Sequence, residues 1–410
     1  MLKGILTWLL ITLSPIVYFG FASAQANDTV HRDELPEPWS LLDKFFQGKT
    51  SELFPTVLLL REHEDEYRQT NQWGNFSEAI GTFTSYLGNY QEAIDYFDAL
   101  PSRGSPVVPP LDEACVHKSA IATIVKLAKT HQVIFINEAH HVPQHRAFTI
   151  ELVKALRPLG FNYFAAETLY QSDIYSLNQR GYPLVKTTGF YSDEPVYGNL
   201  IRTALELDYD LVAYESEEIN ESRNQREEAQ AVNLIERILK KDPNAKFIVH
   251  AGYRHIAEIG SDDWKPMAEY FKTLSSIDPL TIDQTSAESF SPKEAVVFSC
   301  SDKHWTGQND GIYDLEVFPQ KTAYELGRPN WLRLGGTRKP YQLNAELCEN
   351  NYPCLIEARL ANEQVNAVPI DRIELKNGTS ARTLMLPDEP VTIRVIDRGG
   401  EILTEFEVIN

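Results

Sequence analysis

Residues 133–141 read Val-Ile-Phe-Ile-Asn-Glu-Ala-His-His, and this short stretch decides the fold class. Four apolar residues rich in β-branched and aromatic side chains predict a buried strand, and a polar cluster follows it directly. Pro143 then fits the first position of a helix, whose pattern continues to Leu156. A buried strand that leads through a polar turn into a helix is typical of a parallel α/β sheet.

The same alternation of strands and helices extends over residues 113–305. The other predicted strands are 163–166, 211–214, 247–249 and 280–282. The predicted helices are 121–129, 144–156, 223–240 and 264–274. This alternation predicts an α/β fold with a mainly parallel sheet and flanking helices.

Two regions of different character flank this core. Residues 25–112 follow a helical pattern. One tetratricopeptide-like (TPR-like) helix pair is predicted there from the spacing of Gly81, Gly88, Tyr90, Ala93 and Phe97. Residues 306–410 have an apolar period of two, which predicts a small antiparallel β domain. Its clearest hairpin joins 391–395 to 402–409.

The first 24 residues have the layout of a cleaved secretory signal peptide. Lys3 precedes an apolar run that ends in Ala22-Ser23-Ala24, a small-x-small pattern. A membrane anchor is the alternative, which Pro15 disfavours because proline weakens a spanning helix. We therefore expect export to the periplasm or out of the cell, without stable membrane insertion.

The composition is globular and acidic. Among 410 residues, 58 Asp and Glu outnumber 38 Lys and Arg, which gives a formal net charge of −20. This balance argues against a nucleic-acid partner, since such surfaces need patches of Lys and Arg. We expect a small-molecule or peptide substrate, and the sequence leaves the oligomeric state open.

The predicted export makes disulfide bonds between the four cysteines possible, because disulfides persist outside the cytoplasm. Cys348 and Cys354 enclose a polar, turn-rich loop and are the best candidate pair. Cys115 and Cys300 remain, and a bridge between them would join the two ends of the α/β stretch. Several pairings are possible, and free buried thiols are the alternative for the second pair.

Titratable side chains follow every predicted strand of the core, where a parallel sheet binds its ligands. The candidates after strands are Glu138, His140, His141, Glu167, His250, Tyr253, His255 and Asp283. Three more stand near helix starts, namely His145, Arg226 and Glu227. Because such groups rarely converge by chance, we expect a functional site at this edge of the sheet.

The spacing of two of the histidines excludes one familiar motif. His141 and His145 are four residues apart, but Pro143 lies between them, so they are not the helical HExxH of zinc proteases. A helix N-terminus favours the neutral form of a nearby histidine. Such a histidine suits a general base or a metal ligand, although either residue can also be a polar group at the helix entry.

The segment after the first strand resembles three groups of one superfamily. Glu138, His140, Pro143 and His145 resemble the Glu-x-His-x2-Pro-x-His of haem-binding ChaN-like lipoproteins. Glu138 and His141 resemble the Gly-Glu-x-x-His of erythromycin-esterase-like hydrolases. His140 resembles the histidine in the Gly-x-x-His core of Tiki-type metalloproteases.

Downstream segments extend this resemblance over about residues 115–290. Ala165-Ala166-Glu167, Arg226-Glu227 and residues 250–255 are similar to later motifs of the superfamily. Asn137 departs from it, because the family usually has glycine there; asparagine is the best substitute at positive φ. The helical and β regions lie outside the resemblance.

The favoured implication is a hydrolase of the erythromycin-esterase-like kind, which requires no cofactor. His140 or His141 would activate water, Glu138 and Glu167 would orient it, and His250 and His255 would polarise the carbonyl. The substrate-binding residues would be His145, Arg226, Glu227, Tyr253 and Asp283.

The two alternatives each bring a cofactor. A Tiki-like hydrolase or protease would hold a divalent metal ion through Glu138, His140, Glu167 and His255, with His250 as the alternative to His255. A ChaN-like protein would bind haem through Tyr253 or His255.

Overall fold

The sheet predicted around residues 133–141 is present in a computed structural model of the chain. The structure describes residues 35–48, 52–100, 108–110, 114–218, 220–287, 292–301, 303–344, 346–348, 351–380 and 382–409. The predicted signal peptide lies outside the described residues. The described helices are α1 (Asp43–Gln47), α2 (Leu53–Glu62), α3 (Glu64–Tyr67), α4 (Trp73–Tyr86), α5 (Tyr90–Asp98), α6 (Ala120–Leu127), α7 (Pro143–Leu156), α8 (Ile174–Arg180), α9 (Pro195–Glu206), α10 (Arg223–Leu234) and α11 (Met267–Ser275). The described strands are β1 (Cys115–Ser119), β2 (Val133–Glu138), β3 (Phe161–Ala166), β4 (Asp210–Ala213), β5 (Lys246–Gly252), β6 (Leu280–Asp283), β7 (Val296–Cys300), β8 (Lys303–His304), β9 (Leu315–Glu316), β10 (Tyr324–Glu325), β11 (Arg328–Pro329), β12 (Lys339–Gln342), β13 (Cys354–Leu360), β14 (Asp371–Leu375), β15 (Thr383–Leu386), β16 (Pro390–Ile396) and β17 (Ile402–Ile409).

Six parallel strands form the central sheet in the order β4-β3-β5-β2-β6-β9. Every residue of β2 is buried, because helices cover both faces. Ile134 packs in the core formed with α6, α7 and α9, whereas Phe135 packs in the core formed with α10 and α11. The predicted α/β fold with a mainly parallel sheet and flanking helices is confirmed.

The predicted strands of the core are all present, and Pro143 is the first residue of α7 as expected. The helix predicted over 223–240 is α10, which continues into a π-helical turn at Ile235–Leu239. Two helices between β3 and β4, α8 and α9, were not predicted from the sequence. The sheet also extends beyond the predicted boundary at residue 305, because β9 pairs with β6. A strand of two residues is too short to show a period.

The strand order brings three chain segments together at one edge of the sheet. β5 lies between β2 and β3, and His250 is in register with both Ile136 and Ala166. The residues that follow these three strands are therefore neighbours, although they are far apart in sequence. This is the edge at which a parallel sheet binds its ligands.

The two flanking regions also have the predicted character. α4 and α5 form the helix pair, in which a Cβ at Gly81 would lie 2.6 Å from the Phe97 ring. The C-terminal region contains the antiparallel sheet β14-β13-β16-β17, including the predicted hairpin of β16 and β17. Arg372 of β14 joins the parts by donating to the backbone oxygens of Tyr86 and Asp193 at 3.2 and 2.9 Å.

Both predicted disulfides are present. Cys115 and Cys300 are register partners on β1 and β7, and Cys348 bonds to Cys354. These two bonds fit an exported protein. Among the described residues, no helix is both long and apolar enough to cross a membrane.

Candidate active site

Glu138, the last residue of β2, is a buried carboxylate held by a buried arginine. Arg146 Nε donates to Glu138 Oε2 at 2.6 Å, and its Nη2 donates to Oε1 at 2.7 Å. Burial alone would raise the pKa of Glu138, but the charge and hydrogen bonds of Arg146 lower it well below its usual range. Glu138 is therefore a fixed anion at the base of the site.

The same guanidinium connects this anion to α9. Arg146 Nη1 donates to Glu194 Oε2 at 2.9 Å, and Glu194 caps α9 by accepting from the N–H groups of Val196 and Tyr197. The guanidinium carbon lies 4.8 Å from the centre of the Tyr197 ring. One arginine thus fixes the end of β2 against the start of α9.

His140 is oriented by the Glu138 carboxylate. Its Nδ1 lies 3.0 Å from Glu138 Oε1. An ionised carboxylate only accepts hydrogen bonds, so we assign the proton to Nδ1, which leaves the lone pair on Nε2. The ring stacks on Tyr191 with centroids 3.8 Å apart, and 14% of the side chain is exposed. His140 therefore has the geometry of a base that a carboxylate orients.

A second carboxylate and a second imidazole, those of Glu167 and His255, belong to the same site. Glu167, after β3, accepts from Gly252 N–H at 2.6 Å and from Arg226 Nη2 at 2.9 Å. His255 Nε2 lies 3.5 Å from Glu167 Oε1, and its Nδ1 lies 2.8 Å from Glu227 Oε2. Both Glu167 and His255 are partly exposed, at 11% and 17%. Glu167 and His140 meet at Gly252, since a Cβ there would lie 2.5 Å from His140 Nε2 and 3.3 Å from Glu167 Oε2.

The charges of this second pair are complementary. Burial would raise the pKa of Glu167, but the charges of His255 and Arg226 lower it to about 2. Burial would lower the pKa of His255, but the Glu227 and Glu167 carboxylates outweigh it and raise this pKa above its usual value. His255 is therefore biased toward its cationic form, which can donate a proton or stabilise an anion.

The structure separates the two candidate bases His140 and His141. The His141 ring is buried and stacks on Phe97, with centroids 3.5 Å apart and an interplanar angle of 5°. Its Nδ1 lies 3.3 Å from the Tyr253 hydroxyl. Of the two histidines, His140 occupies the accessible position beside Glu167.

His250, which was predicted to polarise the carbonyl, lies beneath the site. Only 1% of its side chain is exposed. Its Nδ1 lies 2.9 Å from the Tyr197 hydroxyl, and its Nε2 lies 3.6 Å from Glu138 Oε2. Burial lowers the pKa of His250 to about 4. It is therefore a neutral group that supports Glu138 from below.

Three residues predicted to bind substrate, His145, Glu227 and Asp283, are buried. His145 Nδ1 accepts a backbone N–H at 3.1 Å, and burial lowers its pKa to about 4. Glu227 orients His255, and Asp283 accepts from Asn137 Nδ2 at 2.5 Å. The sequence shows which residue follows a strand, but it does not show whether another side chain covers it. Arg226 is 37% exposed and pairs with Glu167, and Tyr253 is half-buried beside His140 and His141.

Glu316, at the end of β9, is a buried carboxyl group beside Asp283. Burial and the Asp283 charge raise the pKa of Glu316 to about 10. Since the folded pKa exceeds the unfolded value, folding favours the protonated form, and stability declines as the pH rises from about 4 toward 10.

We expect Glu316→Gln to raise the free energy of unfolding at pH 8 by on the order of 2 kcal/mol in chemical denaturation. At pH 4 the variant should be as stable as the wild type. If the variant and the wild type are equally stable at pH 8 as well, the raised pKa of Glu316 is contradicted.

Several partners of the predicted site residues were not predicted from the sequence. Arg146, Tyr191, Glu194 and Tyr197 all contribute contacts to the site. For Arg146 there was a signal, since a buried strand that ends in a carboxylate needs a nearby cation. Tyr191, Glu194 and Tyr197 lie in or beside α9, which no pattern predicted.

The predicted metal ligands do not fit a metal ion in this arrangement. Both oxygens of Glu138 bind Arg146, and those of Glu167 bind Arg226 and the Gly252 N–H. Within the described ranges, no group of three or more His, Cys, Asp or Glu side chains is arranged to hold a metal ion. Of the two haem-ligand candidates, His255 has its Nε2 3.5 Å from Glu167 Oε1, and Tyr253 has its hydroxyl 3.3 Å from His141 Nδ1.

No protein-family model and no curated protein matches this chain. Among solved structures, it is similar to the type III effector HopBA1, with 14% identity, 54% of this chain and 99% of that chain covered, and a TM-score of 0.33. A structure described as bacterial protein toxins has 12% identity, coverage of 61% and 64%, and a TM-score of 0.32. A second bacterial protein toxin has 15% identity, coverage of 52% and 46%, and a TM-score of 0.29. Likenesses this distant say nothing about the activity of this chain.

Proposed function

We propose that the chain is an exported hydrolase of carboxylic esters or related bonds, similar to the erythromycin-esterase-like hydrolases. The observation that carries the proposal is the pairing of His140 Nδ1 with Glu138 Oε1 at 3.0 Å. Because Arg146 fixes Glu138, the imidazole is held in one tautomer, with the proton on Nδ1 and the lone pair on Nε2. This is the arrangement that a general base for water needs.

In the proposed reaction, His140 acts on the water, and His255 and Arg226 act on the oxyanion. His140 Nε2 removes a proton from water while the water oxygen attacks the carbonyl carbon. His255 and Arg226 stabilise the oxyanion that forms, and Glu167 holds both cations in place. The bond to the leaving alkoxide then breaks, and the proton passes to that alkoxide. Glu138 stabilises the imidazolium during the reaction.

The metal and haem alternatives remain proposals of lower rank, because their ligand atoms are engaged with protein cations and hydrogen bonds. A panel of chromogenic carboxylic esters, assayed with and without EDTA, tests the leading proposal. We expect at least one ester to be hydrolysed equally under both conditions. Loss of hydrolysis with EDTA and recovery with a divalent metal ion would favour the metal alternative, and a Soret band on haem titration would favour haem binding.

The proposed role of the His255 cation in stabilising the oxyanion predicts the alkaline side of the pH profile. Because Glu227 and Glu167 raise the pKa of His255, kcat should persist above the usual histidine range and fall as the pH rises through this raised pKa. Glu227→Gln removes one of the carboxylates, so the alkaline limb should move to lower pH. Stopped assays of kcat from pH 5 to 10 check this, and an unmoved limb would contradict the role of His255.

The close approach of Gly252 to His140 predicts that turnover depends on the position of the His140 ring. A Cβ at this glycine would lie 2.5 Å from both Cε1 and Nε2 of His140. We expect Gly252→Ala to displace the ring and to lower kcat by about 10- to 100-fold while the protein stays folded. Gly74→Ala is the control, because a Cβ there meets nothing within 4 Å. Equal turnover by the two variants would argue against His140 as the base.

A further inference from the structure

Two exposed arginines lie against one buried tryptophan beside the site. The guanidinium carbon of Arg223 lies 4.0 Å from the centre of the Trp264 ring, and that of Arg254 lies 5.7 Å from the same centre. Both arginines are exposed, whereas Trp264 is buried. Because a guanidinium is attracted to the face of an indole, this ring holds two cations close together at the protein surface.

The tryptophan connects this pair of arginines to His255. Trp264 Nε1 donates to Glu227 Oε1 at 3.1 Å, and Glu227 Oε2 lies 2.8 Å from His255 Nδ1. The indole and the imidazole therefore bind the two oxygens of one buried carboxylate. The arginine pair is thus a neighbour of the cation that acts on the oxyanion in the proposed reaction.

The topology places both arginines at the same edge of the sheet as the site. Arg254 follows the last residue of β5 by two positions. Arg223 is the first residue of α10, and it precedes Arg226 by three residues on one face of that helix. Arg226 in turn donates to Glu167 at 2.9 Å. Three guanidinium groups therefore lie at the edge where a parallel sheet binds its ligands.

Stacked arginines of this kind suit a carboxylate ligand. Stacking occupies the face of a guanidinium, whereas its N–H donors lie in the plane and can bind the two oxygens of a carboxylate. The ring also restricts the side chain, so less conformational entropy is lost when a ligand binds. Because the whole chain has a net charge of −20, an anionic ligand is repelled at long range and depends on such local cations.

We propose that Arg223 and Arg254 determine substrate specificity by binding a carboxylate group of the substrate, beside the bond that is hydrolysed. The substrate class is then an ester that carries a separate carboxylate. The placement beside the hydrolysed bond rests on the proposed hydrolase function. The binding of the carboxylate rests only on the two arginines and the ring that holds them.

A binding experiment tests the carboxylate site without any turnover. Disodium adipate is titrated into the full-length protein at low salt by isothermal titration calorimetry, and the wild type is compared with the double variant Arg223→Gln, Arg254→Gln. Arg68→Gln is the control, because Arg68 is also exposed and its guanidinium lies 4.5 Å from the centre of the Trp73 ring. We expect the wild type and the control to bind equally and the double variant to bind at least about tenfold more weakly.

Two calorimetric results would overturn the proposal. Absence of adipate binding to the wild type would show that the arginine pair is not a carboxylate site. An equal affinity in the double variant and in Arg68→Gln would show that the binding does not depend on Arg223 and Arg254.

A kinetic experiment tests the placement beside the scissile bond. The 4-nitrophenyl monoester of adipic acid is compared with the same ester in which a carboxamide replaces the free carboxylate, so that the two differ in charge and hardly in shape. The wild type should prefer the carboxylate, and the double variant should lose at least about tenfold of that preference through KM rather than kcat. An equal preference in both proteins would overturn the placement. If the wild type hydrolyses no ester at all, the hydrolase proposal fails, whereas the calorimetric result still decides the carboxylate site.

Thermal unfolding separates the loss of a binding site from the loss of structure. Both arginines are exposed, so we expect the double variant to melt at about the same temperature as Arg68→Gln. A much lower melting temperature together with weaker adipate binding would assign the two arginines the structural role of covering Trp264, and it would overturn the proposal.

Discussion

Replacing His140 by alanine should reduce kcat for ester hydrolysis by about 10²- to 10⁴-fold, the usual contribution of a general base. KM should change little, because the proposed base acts on water and not on the bound ester. The reason is geometric: Glu138 orients this imidazole, and the ring remains partly exposed beside Glu167. Steady-state kinetics on an ester that the wild type hydrolyses provide the measurement.

His141→Ala is the matched control for this substitution. His141 is buried against Phe97, so its loss should affect kcat less than the loss of His140. Added imidazole should restore part of the activity of His140→Ala, because the deletion leaves room for a small base in the same place. If His141→Ala proves the more damaging variant, the two histidines must exchange roles.

Replacing Arg146 by methionine should lower the free energy of unfolding by about 3–5 kcal/mol, the usual cost of removing one partner of a buried ion pair. The side chain is fully buried, and its loss leaves the carboxylates of Glu138 and Glu194 without their cation. Glu138 would then gain a proton and no longer orient His140, so hydrolysis should also be lost. Chemical denaturation and the ester assay measure the two effects.

Two further variants separate charge from packing. Arg146→Met combined with Glu138→Gln removes one of the stranded anions, so it should recover part of the lost stability. Arg68→Met removes an arginine that is 52% exposed and pairs with Glu64, and it should cost less than about 1 kcal/mol. Equal losses for Arg146→Met and Arg68→Met would contradict the view that Glu138 depends on a buried cation.

The sheet was predictable because its signals are local. The apolar run of β2, the polar turn after it and Pro143 at the start of α7 each act within a few residues. Parallel packing then places Glu138 and Glu167 at the same edge, which the sequence predicts without any contact information.

The depth of each side chain was not predictable in this way. His250 and Asp283 follow strands just as Glu167 does, but Tyr197 and Asn137 cover them. The contact of Phe97 with His141 was not predicted for the same reason, because the two residues are close only in the folded chain. Such positions depend on long-range packing, for which a single sequence contains no local signal.

The Cys115–Cys300 bond has a consequence for how the protein tolerates damage. His140, Glu138, Glu167 and His255 lie within the covalent ring that it closes, whereas Phe97, which stacks on His141, lies outside it. A protease that nicks an exposed turn inside the ring leaves both halves tethered, so the base and its partners can remain in register. A cut near residue 100 would instead leave Phe97 held by noncovalent contacts alone. Limited proteolysis outside the ring would therefore loosen the contact on His141 before it disturbs His140 and its partners.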